Sequence, residues 1–83
     1  MNYVYILQSE VDNSFYIGFT ENLEKRVEQH NNGESIYTSR KIPWKLVYFE
    51  EMSSKTEAIK RERFLKAQKN KIFYQRLINS LDR

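Results

Sequence analysis

Two short segments near the start of the chain are rich in β-branched and aromatic residues: 2–8 (NYVYILQ) and 15–19 (FYIGF). Such residues favour strands, and the polar, turn-forming stretch between the two segments predicts an antiparallel hairpin. Side chains alternate between the two faces of a strand, so Tyr16 and Gly18 share one face of the second strand. If Tyr5 lies on the same side of the sheet, two tyrosines meet across the hairpin.

A helical pattern follows the hairpin. Asn22 is a suitable N-cap for a helix that runs through about residue 31, with Thr20 as the competing cap, and Asn-Gly at 32–33 supplies the left-handed residue that ends it. Arg26 and His30 are four residues apart and therefore project from one face of this helix, beside its apolar stripe. The two side chains are thus predicted to share a site.

The rest of the chain predicts a loop, a strand and two helices. Residues 34–42 are polar, and 44–50 alternate in the manner of a strand. Ser54 and Glu57 have the spacing of a capping box, so a helix starts there. A last amphipathic helix is predicted from about residue 69 to 81. Its sheet-covering residues are predicted to be Ile72, Phe73, Leu77, Ile78 and Leu81.

One carboxylate breaks the pattern of the first of these two helices. At 100° per residue, Glu62 lies in the middle of the apolar arc formed by Ala58, Ile59 and Leu65. An ionised carboxylate pointed at a core is costly unless a salt bridge, a raised pKa or a bound cation compensates for it. Arg26 or a metal could satisfy Glu62, and the geometry leaves a structural ion pair and a functional site equally open.

Composition narrows the kinds of chemistry that the chain can perform. Its 83 residues suit a single domain, 1–83, with one modest core. There is no cysteine and one histidine, which excludes disulfide frameworks and zinc sites built from several Cys and His ligands. Any metal is therefore a hard, oxygen-bound cation. No apolar run is long enough for a membrane span, and the start of the chain lacks the pattern of a signal peptide, so the expected location is cytoplasmic.

Charge is distributed unevenly along the chain. From Met52 onward the chain has nine basic and three acidic residues, a net charge of 9 − 3 = +6. Because the whole chain has a net charge of +3, the first 51 residues carry −3. A basic half on a small domain suits a phosphate-rich partner such as nucleic acid. The alternative is a solvated basic helix face that binds nothing.

Several residues in order along the chain resemble the GIY-YIG nuclease superfamily. The tripeptide at 3–5 (YVY) stands for the family's GIY, and that at 16–18 is YIG itself. Eleven residues separate Tyr5 from Tyr16 in numbering, and Arg26 follows ten later. The opening YVYIL and the basic helix near the end are typical of the short, stand-alone bacterial members of the UPF0213 type. Tyr3 departs from the pattern by replacing the first glycine, and neither Asn70 nor Asn79 securely matches the family's late asparagine.

The resemblance implies an α+β fold, with a three-stranded antiparallel sheet flanked by helices in the order β-β-α-β-α-α. It also implies a catalytic surface on one sheet face that needs a divalent cation, usually Mg²⁺, with Mn²⁺ as a substitute. By the resemblance, Glu62 is the metal ligand. The residues that it identifies as catalytic are Tyr5, Tyr16, Arg26, His30 and Glu62.

These side chains suit the hydrolysis of a phosphodiester. Arg26 has a charged, planar fork that fits phosphate oxygens, and Mg²⁺ on a single carboxylate keeps waters for a substrate-completed site. Tyr5 is the candidate base, because a nearby cation stabilises phenolate. By the resemblance Tyr16 holds water, phosphate or Tyr5, and His30 donates or relays a proton.

Three other residues are predicted to contact nucleic acid. Gly18 would let the substrate come close to the strand, and Arg40 and Lys41 would follow its backbone. The resulting hypothesis is a metal-dependent endonuclease acting on DNA. Substrate structure, sequence preference, the choice between DNA and RNA, a protein partner and the oligomeric state stay open.

Two other functions and several structural roles compete with this hypothesis. One function is a nucleic-acid-binding module of the same fold with little or no turnover, and the other is an interaction domain in which Glu62 and Arg26 form a buried ion pair. If each residue is considered alone, the tyrosines are expected to fill the core beside the sheet with their hydroxyls at its rim. His30, considered alone, is expected at the surface near a helix end. The other structural expectations are a solvated Glu50 and Glu51 and a core placement for Trp44 and Tyr48.

Overall fold

The structure, a computed structural model, describes residues 1–80. Its elements follow the predicted order, β-β-α-β-α-α. None of the helices in the described part is long and apolar enough to cross a membrane. The strands are β1 (Asn2–Ser9), β2 (Phe15–Thr20) and β3 (Trp44–Met52), and the helices are α1 (Leu23–Asn31), α2 (Lys55–Gln68) and α3 (Lys71–Asn79).

The three strands form one antiparallel sheet in the order β2-β1-β3, with β1 in the centre. The hairpin register places Tyr5 opposite Gly18 and Leu7 opposite Tyr16. These residues therefore share a face of the sheet, which fulfils the condition for Tyr5 and Tyr16 to meet across the hairpin. The three-stranded antiparallel architecture implied by the resemblance is confirmed.

Helices cover both faces of the central strand. On one face, Val4 and Ile6 pack with Ala58 and Leu65 of α2 and with Tyr74 of α3. The opposite face buries a second cluster beneath α1, formed by Tyr5, Leu7 and Trp44 with partly buried Tyr16, Leu23, Val27, Ile42 and Leu46. Trp44 and Tyr48 are both buried, as predicted.

Helix α1 has the ends that its sequence predicts. Asn22 adopts an extended conformation, and its Oδ1 accepts a hydrogen bond from the backbone N–H of Lys25 at 3.1 Å. Gly33, just beyond the helix, has φ +76°, a left-handed conformation that glycine adopts without strain. This helix is therefore fixed at both ends, and it holds Arg26 and His30 above the sheet.

The last two helices are separated by a sharper break than the sequence suggested. Lys69 lies in the left-handed region with φ +46°, and Asn70 caps α3 by accepting hydrogen bonds from the backbone N–H groups of Ile72 and Phe73. The predicted start at residue 69 is therefore two residues too early, because an asparagine cap takes precedence over the basic residue before it. The predicted contact of Leu81 lies outside the described residues.

The apolar face of α3 differs from the prediction at one position. Ile72 is 66% exposed and does not cover the sheet. The helix instead buries Tyr74 and turns Phe73, Leu77 and Ile78 toward the core. At 100° per residue those four span about 140°, and Ile72 falls on the opposite side of the helix.

Glu50 is also placed differently from the prediction of a solvated pair. Its carboxylate accepts hydrogen bonds from Nε and Nη2 of Arg61 at 2.9 and 2.8 Å, and from the Tyr48 hydroxyl. Burial alone would raise the pKa of Glu50, but the hydrogen bonds from Arg61 and Tyr48 outweigh it and lower that pKa. The prediction was wrong for Glu50 because Arg61, on the next helix, reaches back to β3; Glu51 is exposed as expected.

Candidate active site

The Tyr5 ring lies across the backbone of the neighbouring strand at Gly18. A Cβ atom at Gly18 would approach Tyr5 Oη to 2.6 Å and Cζ to 2.8 Å, well inside van der Waals contact. Only glycine therefore allows the tyrosine to adopt this position. The sequence suggested that Gly18 leaves room for the substrate, which stays a prediction; in the structure the Tyr5 ring occupies the space next to Gly18.

A chain of hydrogen bonds links Tyr5 to the loop after α1. Tyr5 Oη lies 3.0 Å from His30 Nε2, and His30 Nδ1 lies 2.8 Å from Thr38 Oγ1. The Thr38 hydroxyl donates in turn to the Ser35 carbonyl at 3.5 Å. Since that hydroxyl donates onward, it accepts from Nδ1–H, and Nε2 accepts the Tyr5 proton. His30 is therefore held as a neutral imidazole with its acceptor nitrogen aimed at Tyr5.

Two features of this chain were not predicted from the sequence. His30 is 0% exposed, so the reading as a surface histidine at a helix end was wrong, and the reason is that the 34–42 loop folds over it. Thr38, in that loop, was missed as a site residue. Its side chain is buried, and its carbonyl accepts a hydrogen bond from Trp44 Nε1 at 2.9 Å. Thr38 could have been found only by asking which side chain bonds the second nitrogen of His30, since a buried imidazole needs hydrogen-bond partners at both nitrogens.

Tyr16 and Arg26 cover the same side chains from the solvent side. The ring centroid of Tyr16 lies 4.9 Å from that of His30 and 6.4 Å from that of Tyr5. Arg26 is partly buried and donates from Nη1 to Gln29 Oε1 at 3.2 Å. Burial would lower the pKa of Arg26, but the oxygens of Tyr5 and Tyr16 beside it raise that pKa overall. The guanidinium thus stays charged next to both phenols.

Burial sets the protonation states of the two innermost groups. It raises the pKa of Tyr5 to about 12; Arg26 opposes the shift, while the charges of Tyr16 and Glu62 add to it. Burial also lowers the pKa of His30 to about 4, with a further contribution from the positive charge of Arg26. At neutral pH the resting site therefore contains a protonated phenol and a neutral imidazole.

Glu62 lies on α2, whose Ala58 and Leu65 pack on the face of the sheet opposite Tyr5. Its side chain is 16% exposed, and Oε2 lies 3.7 Å from Nζ of Lys66, one turn further along α2. Within residues 1–80 it forms no ion pair with Arg26, so the buried pair required by the purely structural alternative is not formed. The carboxylate is nevertheless near enough for its charge to raise the pKa of Tyr5. That contribution is the smallest of those acting on the Tyr5 pKa, and the place of Glu62 in the site stays a prediction.

The donor set fits a magnesium-type cation bound by one protein ligand. Among residues 1–80 no three His, Cys, Asp or Glu side chains are grouped to hold a metal, which argues against a closed, all-protein site. Mg²⁺ commonly binds through one or two carboxylates and completes its shell with waters and substrate phosphates. The loose contact of Glu62 with Lys66 leaves carboxylate oxygen available for that purpose.

The two basic loop residues have different surroundings. Lys41 pairs with Asp12 at 3.1 Å, its ammonium donates to Ser14 Oγ at 3.3 Å, and its carbonyl accepts from Ser9 Oγ at 2.8 Å. Lys41 thus connects the loop to the hairpin turn. Arg40 is exposed and forms none of the ion pairs found in the described chain. The nucleic-acid contacts of both residues stay predictions.

The buried His30 makes stability depend on pH in a definite direction. Its folded-state pKa of about 4 lies below the ordinary 6.5, so the unfolded chain takes up a proton first as the pH falls. Stability is therefore complete above about pH 6.5 and declines toward pH 4. Between about pH 7.5 and pH 5, we expect the free energy of unfolding to fall by about 2 kcal/mol, measured by urea denaturation.

Substitution of the one histidine provides the control for this experiment. A His30→Gln variant has no imidazole to titrate, so its stability, though lower, should be nearly constant over the same interval. Asp12 and Glu50, whose pKa values are lowered, contribute only below about pH 4.5. A His30→Gln variant that lost as much stability as the wild type would contradict the buried, neutral imidazole.

Comparisons with known proteins identify the family of the chain. Residues 1–77 match the family described as the GIY-YIG catalytic domain. A UPF0213 protein of Clostridium perfringens is 54% identical over 67 residues, 80% of this chain and 71% of that protein. A UPF0213 protein of Staphylococcus haemolyticus is 44% identical over 80 residues, 90% of this chain and 96% of its own length.

A solved structure is also similar in fold. The solution NMR structure of a UPF0213 protein from Bacillus halodurans superposes with a TM-score of 0.58 at 33% identity, covering 95% of this chain and 84% of that one. The sequence match and the fold thus agree over nearly the whole chain. The chain belongs to the GIY-YIG catalytic domain family and is related over most of its length to UPF0213 proteins.

Proposed function

We propose that this protein is a metal-dependent endonuclease that hydrolyses phosphodiester bonds in DNA. Family membership supports a nuclease. The observation that carries the proposal is the joining of Tyr5 to a neutral His30, with Arg26 and Tyr16 directly beside them. The phenol with its proton acceptor can activate water, and the permanent positive charge can stabilise the charge that develops on the phosphate.

Arg26 and Tyr16 are the side chains that receive the phosphate. Both are partly exposed, whereas Tyr5 and His30 behind them are buried. The planar guanidinium can donate two parallel hydrogen bonds to phosphate oxygens, where negative charge increases as the attacking oxygen adds. The Tyr16 hydroxyl, next to Arg26, orients the same phosphate or the attacking water.

Tyr5 and His30 move the proton. As water attacks phosphorus and the bond from phosphorus to the leaving oxygen breaks, Tyr5 Oη takes the proton that the water loses, and the phenolic proton passes to His30 Nε2, 3.0 Å away. The departing oxygen takes up a proton from solvent. The relay avoids a free phenolate, which a pKa of about 12 makes scarce at neutral pH, and His30, with a pKa of about 4, holds the proton only transiently. Thr38 holds Nδ1 and keeps the acceptor nitrogen directed at Tyr5.

Glu62 would hold a divalent cation, Mg²⁺ or Mn²⁺. A cation bound there supplies positive charge to the phosphate and to the departing oxygen. Neutralising Glu62 also removes one of the charges that raise the pKa of Tyr5. The carboxylate thus has a role both toward the substrate and toward the phenol.

A second candidate function is a nucleic-acid-binding module of the same fold with little or no turnover. The specific observation in its favour is that Tyr5 is only 1% exposed, so a substrate must displace Tyr16 or Arg26 slightly to bring water to its hydroxyl. In this alternative the +6 charge after residue 51, with Arg40 and Lys41, provides the affinity.

Incubation of the purified protein with branched, nicked and duplex DNA, in Mg²⁺ or in EDTA, separates the two functions. The nuclease proposal predicts cleavage of at least one of these DNAs in Mg²⁺ and none in EDTA. Cleavage that persists in EDTA contradicts a metal-dependent nuclease. A gel shift at low salt without cleavage under either condition favours the binding module.

A further inference from the structure

The loop between α1 and β3 exposes two adjacent apolar side chains. Ile36 is 90% exposed and Tyr37 is 89% exposed, which makes them the two most exposed large apolar side chains among residues 1–80. Isolated exposed apolar residues are common on protein surfaces. Two consecutive exposed apolar residues at a loop tip, one of them aromatic, provide a flat, hydrophobic surface that a binding partner can contact.

This exposed pair is held outward by its neighbours. The backbone N–H groups of Thr38 and Ser39 both donate to the Ser35 carbonyl, at 3.2 and 3.0 Å. The Thr38 side chain is buried, and its carbonyl accepts from Trp44 Nε1 at 2.9 Å. Ile36 and Tyr37 therefore project from a turn fixed on both sides, so binding would cost little loop ordering.

The loop tip is continuous with the candidate active site. Thr38, the residue after Tyr37, bonds to His30 Nδ1, and His30 Nε2 bonds to Tyr5. Arg40 follows on the short 3₁₀ helix Ser39–Lys41, exposed and without an ion pair in the described part of the chain. Tyr37 and Arg40 therefore flank the segment through which Thr38 joins the loop to the candidate active site.

We propose that Tyr37, with Ile36 beside it, stacks on an unpaired base of the nucleic-acid strand bound at the active site, while Arg40 contacts the backbone of that strand. This inference rests on the proposed function and specifies its substrate class as nucleic acid with unstacked bases. Base faces stack on aromatic side chains with little dependence on sequence. A perfect duplex hides its base faces, so single-stranded or locally distorted DNA is favoured over it.

Binding measurements in EDTA test the contact without any cleavage. Fluorescence anisotropy at low salt compares a labelled single strand with an abasic strand of the same length, which keeps the phosphates and lacks the bases. Tyr37→Ala should bind the base-containing strand about 5- to 150-fold more weakly than the wild type does. Tyr37→Phe, which keeps the ring, and Ile72→Ala, which alters another exposed apolar residue, should bind it like the wild type. On the abasic strand all four proteins should bind alike.

The outcomes distinguish this contact from the nuclease function. Equal affinity of Tyr37→Ala and the wild type for the base-containing strand overturns the inference, and so does an equal loss on the abasic strand, because the effect then does not involve bases. A base-dependent loss in a protein that cuts no DNA in Mg²⁺ supports the stacking contact and contradicts the nuclease. A wild type that binds neither strand overturns the stacking contact, whereas the nuclease is judged by cleavage in Mg²⁺.

Discussion

Replacement of Arg26 by alanine is expected to slow DNA cleavage about 1,000-fold, the effect typical of removing a group that stabilises charge developing on a phosphate. The guanidinium is partly exposed beside the oxygens of Tyr5 and Tyr16. Its removal leaves the transition state without a fixed positive charge. The measurement is the rate of cleavage at saturating Mg²⁺ on the best DNA substrate.

The neighbouring residue provides a matched control for this loss. Lys25 is an exposed cation on the same helix, one residue from Arg26. Lys25→Ala should cut at close to the wild-type rate, whereas Arg26→Lys, which keeps the charge and loses the planar fork, should recover only part of the loss. An Arg26→Ala protein that cleaves as fast as Lys25→Ala would remove Arg26 from the proposed chemistry.

Substitution of Tyr5 by phenylalanine is expected to reduce the cleavage rate about 100- to 10,000-fold, the range for loss of a group that transfers a proton. The variant keeps the ring that fills the space over Gly18 and removes the hydroxyl that bonds His30. It leaves a buried nitrogen without its donor, so stability should fall by about 1 to 3 kcal/mol. Cleavage kinetics and urea denaturation measure the two effects.

A second buried tyrosine separates the loss of catalysis from the loss of stability. Tyr74, on the opposite face of the sheet, donates its hydroxyl to the Leu65 carbonyl at 2.7 Å. Tyr74→Phe should lose comparable stability and retain cleavage, because its hydroxyl lies away from Arg26 and His30. If both variants cut at the same rate, Tyr5 has no catalytic role beyond its contribution to folding.

Much of the fold could be predicted because local signals agree with one another. The structure has strands at the two β-branched hairpin segments. Helices α1 and α2 begin directly after Asn22 and Ser54, the caps that the sequence offered. Side-chain alternation placed Tyr16 and Gly18 on one face. One error arose where two signals competed, at Asn70, whose cap delayed the start of α3. Another arose at Ile72, which lies outside the apolar arc of that helix and is exposed.

The residue types of the candidate site could be predicted from the sequence, but which of its side chains are buried could not. Spacing and resemblance identified Tyr5, Arg26 and Glu62; the structure places Arg26 beside Tyr5, and the role of Glu62 stays a prediction. The sequence could not reveal that His30 is buried, because that depends on a loop with little regular structure folding over α1. Thr38 was missed for the same reason, since a threonine in a polar loop carries no periodic signal.

Glu62 gives the most direct test that these residues form one metal-dependent site. Cleavage by Glu62→Gln, which keeps the shape and loses the charge, is compared with that by Glu57→Gln, an exposed carboxylate on the same helix, across a Mg²⁺ titration. We predict at least a 100-fold loss for Glu62→Gln where the wild type is saturated, and wild-type cleavage for Glu57→Gln. Cleavage by Glu62→Gln with the rate and the Mg²⁺ dependence of the wild type would contradict the proposed site.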